Sequence, residues 1–432
     1  MRLSPNSIPS YWLYEAPFQS PSTEPLPDSA DIVVIGAGLT GMSTAYWLQQ
    51  MEPSLKVVVL DARGIASGAT GRNGGIISPG LNDDYEETVA AYGEASAKRL
   101  VEFDYRNVDA LTEFLSKHAD KDKGPFDPEF TWTKGTVVAW SSEQEAEEAR
   151  PGAEKLAKQI PDDIRVLSPE ESRRMTGVEA FRYGGLHVKT TAIAWAAKIV
   201  FCLARCVQNK VHIATHTPVQ SVESKQDHIN VHTTRGVIRA SKVAYCTNAW
   251  TQRLLGALSG CIVPVRNQVV SVCASPSTPR FDYIISADRG YQYLSCRPNG
   301  DIIMGGMRNI VPSKQEHEDD DSTLNMAVSH ALRTFMRETI KAPNIDREWV
   351  GVMGFSKDRL PLMGDLRHVL GTDQGRGQYI AAGFTGHGMP RTFLCGRALA
   401  QLLTGQQPED WFPTEFLLEH PSRSTWWNSN KL

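Results

Sequence analysis

The chain has 432 residues, 41% hydrophobic and 22% charged, an ordinary globular balance with material for two or three domains. Its net charge of −4, with both signs mixed along the chain, excludes the concentrated basic footprint of a nucleic-acid binder. The opening has no apolar h-region, and no window approaches the roughly 18 apolar residues needed to cross a bilayer, so neither a secretion signal nor a membrane span is expected. Seven cysteines, odd in number and without a Cys-x-x-Cys pair, read as reduced thiols of an intracellular protein.

Residues 1–29, rich in Pro and Ser, predict an extended arm. The run "DIVVIGAGLTGMSTAYWL" that follows predicts a buried strand, a turn with Gly36, Gly38 and Gly41, and a helix. In such a unit the first glycine permits the tight turn and the second lets a pyrophosphate approach the backbone. The third lets helix and strand pack closely. Leu39 and Thr40 open the helix, whose N-terminal N–H groups face the phosphates. Asp61 ends the next predicted strand, twenty residues after Gly41, where an acid binds a ribose hydroxyl. This is a dinucleotide site.

The chain does not then enter a second βα unit of the nicotinamide type. It continues through Ala62 and Arg63 into "SGATGRNGGIISPG", residues 67–80, with five glycines in fourteen positions. Ser67, Gly68, Ala69, Thr70, Arg72, Asn73, Gly74 and Gly75 are expected to run along a bound cofactor, with Arg72 supplying charge to a phosphate or to the ring. A helix over "ASAKRLVEFDYRNVDALTEFLSKH", a break at "KDKGPFDPEF" and a strand at "TWTKGTVVAW" come next. A second helix over "AIAWAAKIVFCLARCVQ" precedes a strand-rich run with a hairpin at Arg235-Gly236. Pro298-Asn299-Gly300 marks a sharper hairpin. Residues 311–323, "VPSKQEHEDDDST", read as a solvated acidic loop. Near the end come a strand, the loop "GFTGHGMP" and a helix expected to start at Pro390 and stop at Gly405. Here Gly383, Phe384, Thr385, Gly386, His387, Gly388 and Met389 form a second cofactor loop, with a helix N-terminus to stabilise negative charge.

Together "VVIGAGLTGMSTAYWL", "LDARGIASGATGRNGG", "YCTNAWT", "PVRNQVV", "GVMGFSKDRLPLMG" and "AAGFTGHGMP" resemble the D-amino-acid oxidase superfamily of FAD-dependent oxidoreductases, which includes glycine and sarcosine oxidases. The pattern is most similar to γ-glutamylputrescine oxidase-like proteins and spans roughly residues 30 to 410. The resemblance implies an α/β fold in which a Rossmann-type FAD-binding domain is interleaved with an α+β substrate domain on a mostly antiparallel sheet. The expected pieces are an arm (1–29), an FAD-binding domain (30–125, 166–260 and 346–410), a substrate domain (126–165 and 261–345) and a tail (411–432). It also implies that Val219, Asn248, Trp250 and Gly354 approach the cofactor.

Met353 stands where family members place a carboxylate-clamping arginine or a flavin-linked cysteine. Non-covalent FAD is therefore expected, and an amine rather than an amino acid bound in the usual way, unless Arg266 or Arg359 supplies a clamp. The implied activity is oxidation of a carbon–nitrogen bond, with O2 reduced to hydrogen peroxide. A dehydrogenase with another electron acceptor, or an inactive flavin-binding subunit, remains the alternative. For the substrate pocket the candidates are Tyr291 and Tyr293, which alternation puts on one strand face, with Gln268, Met353 and His387. Ordinary packing is the other reading of the two tyrosines. The scattered histidines suggest no metal site. A monomer or homodimer is expected. The terminal Asn430-Lys431-Leu432 differs from the peroxisomal address Ser-Lys-Leu at one position, so the cytoplasm is expected, with the peroxisome as the alternative.

Overall fold

The computed structural model describes residues 7–80 and 85–426, so the terminal tripeptide lies outside the described residues. Two eight-stranded sheets organise the molecule. In the first, β1 (Ser29–Ile35) is a buried run that lies between two parallel neighbours. One is β2 (Val57–Leu60) and the other is the strand Gly236–Tyr245. Strand Gln378–Ala382 adds in parallel beyond the latter, and His212–Ala214 beyond β2. Helix α1 (Leu39–Met51) follows β1 and packs on helices Ala196–Val207 and Thr392–Thr404.

Register places Ile35 beside Leu60 and Tyr245, and Tyr245 beside Ile380. Four chain segments far apart in sequence, after residues 35, 60, 245 and 382, therefore leave the sheet at one edge. Ligands of open parallel sheets bind outside the carboxyl ends of the strands, and that edge is where the cavity lies.

The second sheet runs in the order Ile345–Ser356, Ile262–Val272, Ile302–Gly306, Gln292–Cys296, Ile284–Ala287, Thr136–Ala139, Gly185–Val188, Ile164–Leu167. All its pairings are antiparallel except Ile284–Ala287 with Thr136–Ala139. Two strands depart from the domain boundaries expected from sequence. Gly185–Val188 and Ile345–Ser356 fall in stretches expected in the FAD-binding domain, yet both hydrogen-bond into the second sheet. Their alternating apolar patterns fit either sheet, and only the partner strand decides.

The hairpins at Arg235-Gly236 and at residues 298–300 form, with Gly236 and Gly300 at positive φ. The last helix starts at Thr392 rather than Pro390 and ends before Gly405, which adopts the left-handed conformation. All seven cysteines are free thiols, and no helix among the described residues is long and apolar enough to cross a membrane.

Two expectations need correction. The arm is not peripheral: Trp12 is fully buried among the core residues, because its indole packs edge-on against Trp195 while Nε1 donates to Asn73 O at 2.5 Å. The acidic stretch 311–323 is not simply a solvated loop either. Asp321 is 1% exposed and bonds Arg63 at 2.7 Å, while Asp319 bonds Arg253 at 2.6 Å.

Candidate active site

One cavity of about 1590 Å³ runs from the β1–α1 turn to the second sheet. That exceeds the usual 300–1,000 Å³ of small-ligand pockets and leaves room for a dinucleotide and a substrate. At its nucleotide end the glycines have separate jobs. Gly36 turns at φ +108°, and a Cβ there would lie 2.5 Å from Cys246 O. At Gly41 a Cβ would meet Gly36 O at 1.8 Å, so only glycine lets α1 close on the turn. Gly38 has only Thr70 Oγ1 nearby, at 3.3 Å, and no side chain caps it. The helix start therefore faces the cavity, with Leu39 N donating to Thr70 Oγ1 at 3.1 Å.

Asp61 accepts from Ala37 N at 2.7 Å and from Arg63 N at 2.8 Å. Burial pushes its carboxyl above the usual range, opposed by those two N–H groups. Ala62, Val219 and Asn248 line the cavity as well. Trp250 lies under the Arg63 guanidinium, whose carbon is 5.3 Å from the ring centroid. Its Nε1 is buried with no partner among the described residues. A buried donor aimed at a cavity wants an acceptor, which the ribose, phosphate and ring oxygens of a dinucleotide supply.

The first glycine loop is a strut as much as a wall. Arg72, expected to offer charge to the cofactor, is instead spent on the protein. Nε donates to Ser67 O at 2.8 Å, Nη1 to Val350 O at 2.8 Å and to Ile8 O at 3.0 Å, and Nη2 to Ser7 Oγ at 2.6 Å. Asp321 lies 3.6 Å from it. Burial lowers its pKa to about 10, against the pull of Asp321. Asn73 ties the loop to itself through Thr70 O and Gly75 N. A Cβ at Gly75 would strike Ala194 O at 2.6 Å and Trp12 at 2.8 Å, and one at Gly74 would meet the Tyr293 ring at 2.7 Å.

The C-terminal loop closes the opposite side. Asn248 Oδ1 accepts from Gly383 N at 3.0 Å and Phe384 N at 3.3 Å. Thr385, at φ +49°, donates from N to Gly354 O at 2.8 Å. His387 Nδ1 lies 2.9 Å from Thr385 O. A carbonyl only accepts, so Nδ1 carries the hydrogen and the neutral ring's acceptor is Nε2. Met353 Sδ would sit 3.4 Å from a Cβ at Gly386. Beneath the following helix start, Arg391 and Asp104, both buried, pair at 2.8 Å.

The second sheet supplies the far wall. Tyr293 lies flat between Gly74 and Gly305, where a Cβ would come within 2.1 Å of its hydroxyl oxygen. That hydroxyl accepts from Asn267 Nδ2 at 3.1 Å, and loss of water pushes its pKa above the ordinary tyrosine range. Asn267 Oδ1 is buried without a partner among the described residues. Tyr291, Arg308 and Phe355 continue the wall.

The cavity thus gathers Gly36, Gly38, Leu39, Thr40, Asp61, Ala62, Arg63, Gly68, Ala69, Thr70, Arg72, Asn73 and Gly74. It also gathers Val219, Asn248, Trp250, Tyr291, Tyr293, Met353, Phe384, Thr385, Gly386, His387, Gly388 and Met389. Gly41, Ser67, Gly75, Gly354 and Gly383 stand behind the wall and shape it.

Gln268 does not reach the cavity. Its side chain points to the other face, bonding Glu348 at 3.0 Å and Asn325 N at 2.6 Å, because strand neighbours face opposite ways and Asn267 and Val269 hold the cavity face. Arg266 is likewise outside it, with Nε donating to Gln315. Sequence reasoning missed Asn267, Arg308, Phe355 and the supporting Trp12 and Asp321. The "PVRNQVV" motif had marked the right strand with the wrong register.

Residues 31–402 match the DAO family, described as FAD dependent oxidoreductase. The chain belongs to this family. γ-Glutamylputrescine oxidoreductase of Escherichia coli K12 is 26% identical over 87% of this chain and 84% of its own length. Glycine oxidase of Pseudomonas aeruginosa is 26% identical over 88% and 96%. Among solved structures, glycine oxidase from Geobacillus kaustophilus superposes with a TM-score of 0.73 at 17% identity, covering 91% of this chain and all of the other. The protein is a FAD-dependent oxidoreductase, and the family match runs from β1 to the last helix. The arm that buries Trp12 precedes it.

Proposed function

We propose that the protein oxidises a carbon–nitrogen bond of an amine or amino-acid-like substrate to an imine, with O2 as the electron acceptor and hydrogen peroxide as the second product. FAD, bound without a covalent link from the Gly36–Gly41 turn to the two glycine loops, supplies the two-electron acceptor. The observation that carries the reading is the single cavity joining the dinucleotide turn to a wall of Tyr291, Tyr293 and Asn267. Support comes also from relatives whose names specify an amine derivative and an amino acid.

The chain's own part is positioning and exclusion of water. Tyr293, slotted between two glycines, forms a rigid apolar floor. Asn267 Oδ1 can accept from a substrate N–H group. His387, held through Nδ1 on Thr385 O, fixes the loop beside it. Among the described residues the carboxylates that line the cavity are Asp61, at the nucleotide end, with Glu87 and Glu316, and the Tyr293 hydroxyl is bonded by Asn267 rather than by any of them. The amine is thus expected to react as its neutral form, its lone pair assisting loss of the α-hydrogen with its electron pair.

Anaerobic mixing of the yellow protein with pooled amines and amino acids tests this. Visible flavin absorbance should bleach with an active pool and return in air as peroxide appears. Bleaching that air does not reverse, but an artificial acceptor does, would mean a dehydrogenase. No bleaching by any pool would reject the reading.

A further inference from the structure

We infer that Ser356 positions the second cofactor loop through Thr385, and that this joint sets the reduction potential of the bound FAD. Thr385 holds φ +49°, a left-handed conformation that a β-branched residue keeps only where its surroundings enforce it. Gly383 and Gly386, in the same loop, are also at positive φ, +76° each, but glycine takes that conformation without a steric penalty. Thr385 is therefore the strained residue of the loop, and other groups must hold it there.

The end of the strand Ile345–Ser356 does so. Thr385 Oγ1 accepts from Ser356 N at 3.1 Å and lies 3.1 Å from Ser356 Oγ. It donates its one hydrogen to Gly383 O at 3.3 Å, so the Ser356 hydroxyl is the donor of the hydroxyl pair. Ser356 and Thr385 are each 5% exposed, and buried hydrogen bonds of this kind meet little competition from water. Packing closes the same joint, because a Cβ at Gly383 would lie 3.3 Å from Ser356 Cβ. The backbone bridge between Phe355 and Phe384 completes it.

The open donors of the loop lie just beyond this joint. Thr385 N, His387 N, Arg391 N and Thr392 N are spent on the carbonyls of Gly354, Phe384 and Gly388. Among the described residues the N–H groups of Gly386, Gly388 and Met389 donate to no other group, and all three residues line the cavity. Donors fixed in place favour whichever form of a cofactor carries more negative charge, and two-electron reduction adds negative charge to a flavin. A protein that binds the reduced form more tightly than the oxidised form raises the potential by that difference. Gly386 N belongs to the peptide that Thr385 begins, so relaxing Thr385 re-aims that donor first. Ser356 also ends the strand that brings Met353 and Phe355 to the cavity, so one joint ties the second sheet to the loop.

The test measures the two-electron potential of the FAD-loaded protein by anaerobic reductive titration against reference dyes, together with its affinity for FAD. Ser356→Ala removes one hydroxyl, and Thr385→Val removes Oγ1 while keeping the branched shape. Each should weaken the preference for reduced over oxidised FAD about tenfold, which lowers a two-electron potential by about 30 mV. Thr385→Ser keeps the hydroxyl and should restore the potential of the unaltered protein. A role in folding alone would weaken both redox forms equally, lower the melting temperature and leave the potential where it was, and that result overturns the inference. A potential of Thr385→Ser equal to that of Thr385→Val also overturns it, by assigning the pose of the loop to the methyl group. Should Thr385→Val retain no FAD, Ser356→Ala decides alone, and loss of FAD from that variant too counts against the joint. No substrate enters the measurement, so failure of the amine chemistry proposed above is registered separately.

Discussion

The two halves of the cavity treat polar groups in opposite ways. Around the first glycine loop most polar side chains, Trp250 Nε1 apart, are paired inside the protein: Arg72 makes four hydrogen bonds, Asn73 braces its own loop, and Asp321 neutralises two arginines. On the wall of the second sheet, among the described residues, Asn267 Oδ1 is buried without a partner and Arg308 makes no ion pair. A region that must hold one fixed group is internally satisfied, while a region that must recognise a ligand leaves buried polar atoms for it to complete. The contrast predicts that substitutions in the first region act on stability and cofactor retention, and those in the second on substrate.

The largest effect is expected at Asp321. Removing it by Asp321→Ala leaves Arg63 and Arg72, 8% and 3% exposed, without their shared counter-charge. Breaking a buried pair from one side costs about 3–5 kcal/mol. The urea midpoint should fall and FAD should be lost on gel filtration. A midpoint equal to that of the unaltered protein would return residues 311–323 to the status of a surface loop.

A smaller effect is expected from the arm. Trp12→Phe keeps most of the packing but removes the donor to Asn73 O, leaving that carbonyl to find another partner at a cost of about 1–3 kcal/mol. FAD should bind several-fold more weakly and the melting temperature of the FAD-free protein should fall by a few degrees at most. A fall in that melting temperature with unchanged FAD affinity would mean that the arm only stabilises the core.

How much of this was legible follows from the range of the signals. Gly36, Gly41 and Gly75 announce themselves because backbone geometry and close approach are local properties written in the residue type. So do the hairpin at residues 298–300 and the stop at Gly405. The substrate wall is not written that way. Which cavity arginine lacks a carboxylate depends on where Asp319 and Asp321 fold, more than fifty residues from Arg253 and more than two hundred from Arg63 and Arg72. A run such as "EHEDDDST" looks the same in sequence whether solvent or arginines surround it. Trp12 was hidden for a related reason: Pro and Ser nearby describe an arm correctly but say nothing of what it lies against.

The smallest and most diagnostic comparison concerns adjacent residues. Asn267 and Gln268 are both buried amides on one strand, and a shift of one residue in register exchanges their roles. Gln268 bonds Glu348 and Asn325 N on the outer face, so Gln268→Ala should lower stability by about 1 kcal/mol and leave the rate of flavin bleaching alone. Asn267 supports the Tyr293 hydroxyl and has an open Oδ1, so Asn267→Ala should change bleaching by a turnover-competent amine about tenfold with a similar change in stability. The two variants differ by one position, face opposite ways and cost comparable stability, so folding alone cannot produce a split between them. A split in the reverse sense would place Gln268, as the motif first suggested, on the cavity side and would undo the register on which the substrate wall is built.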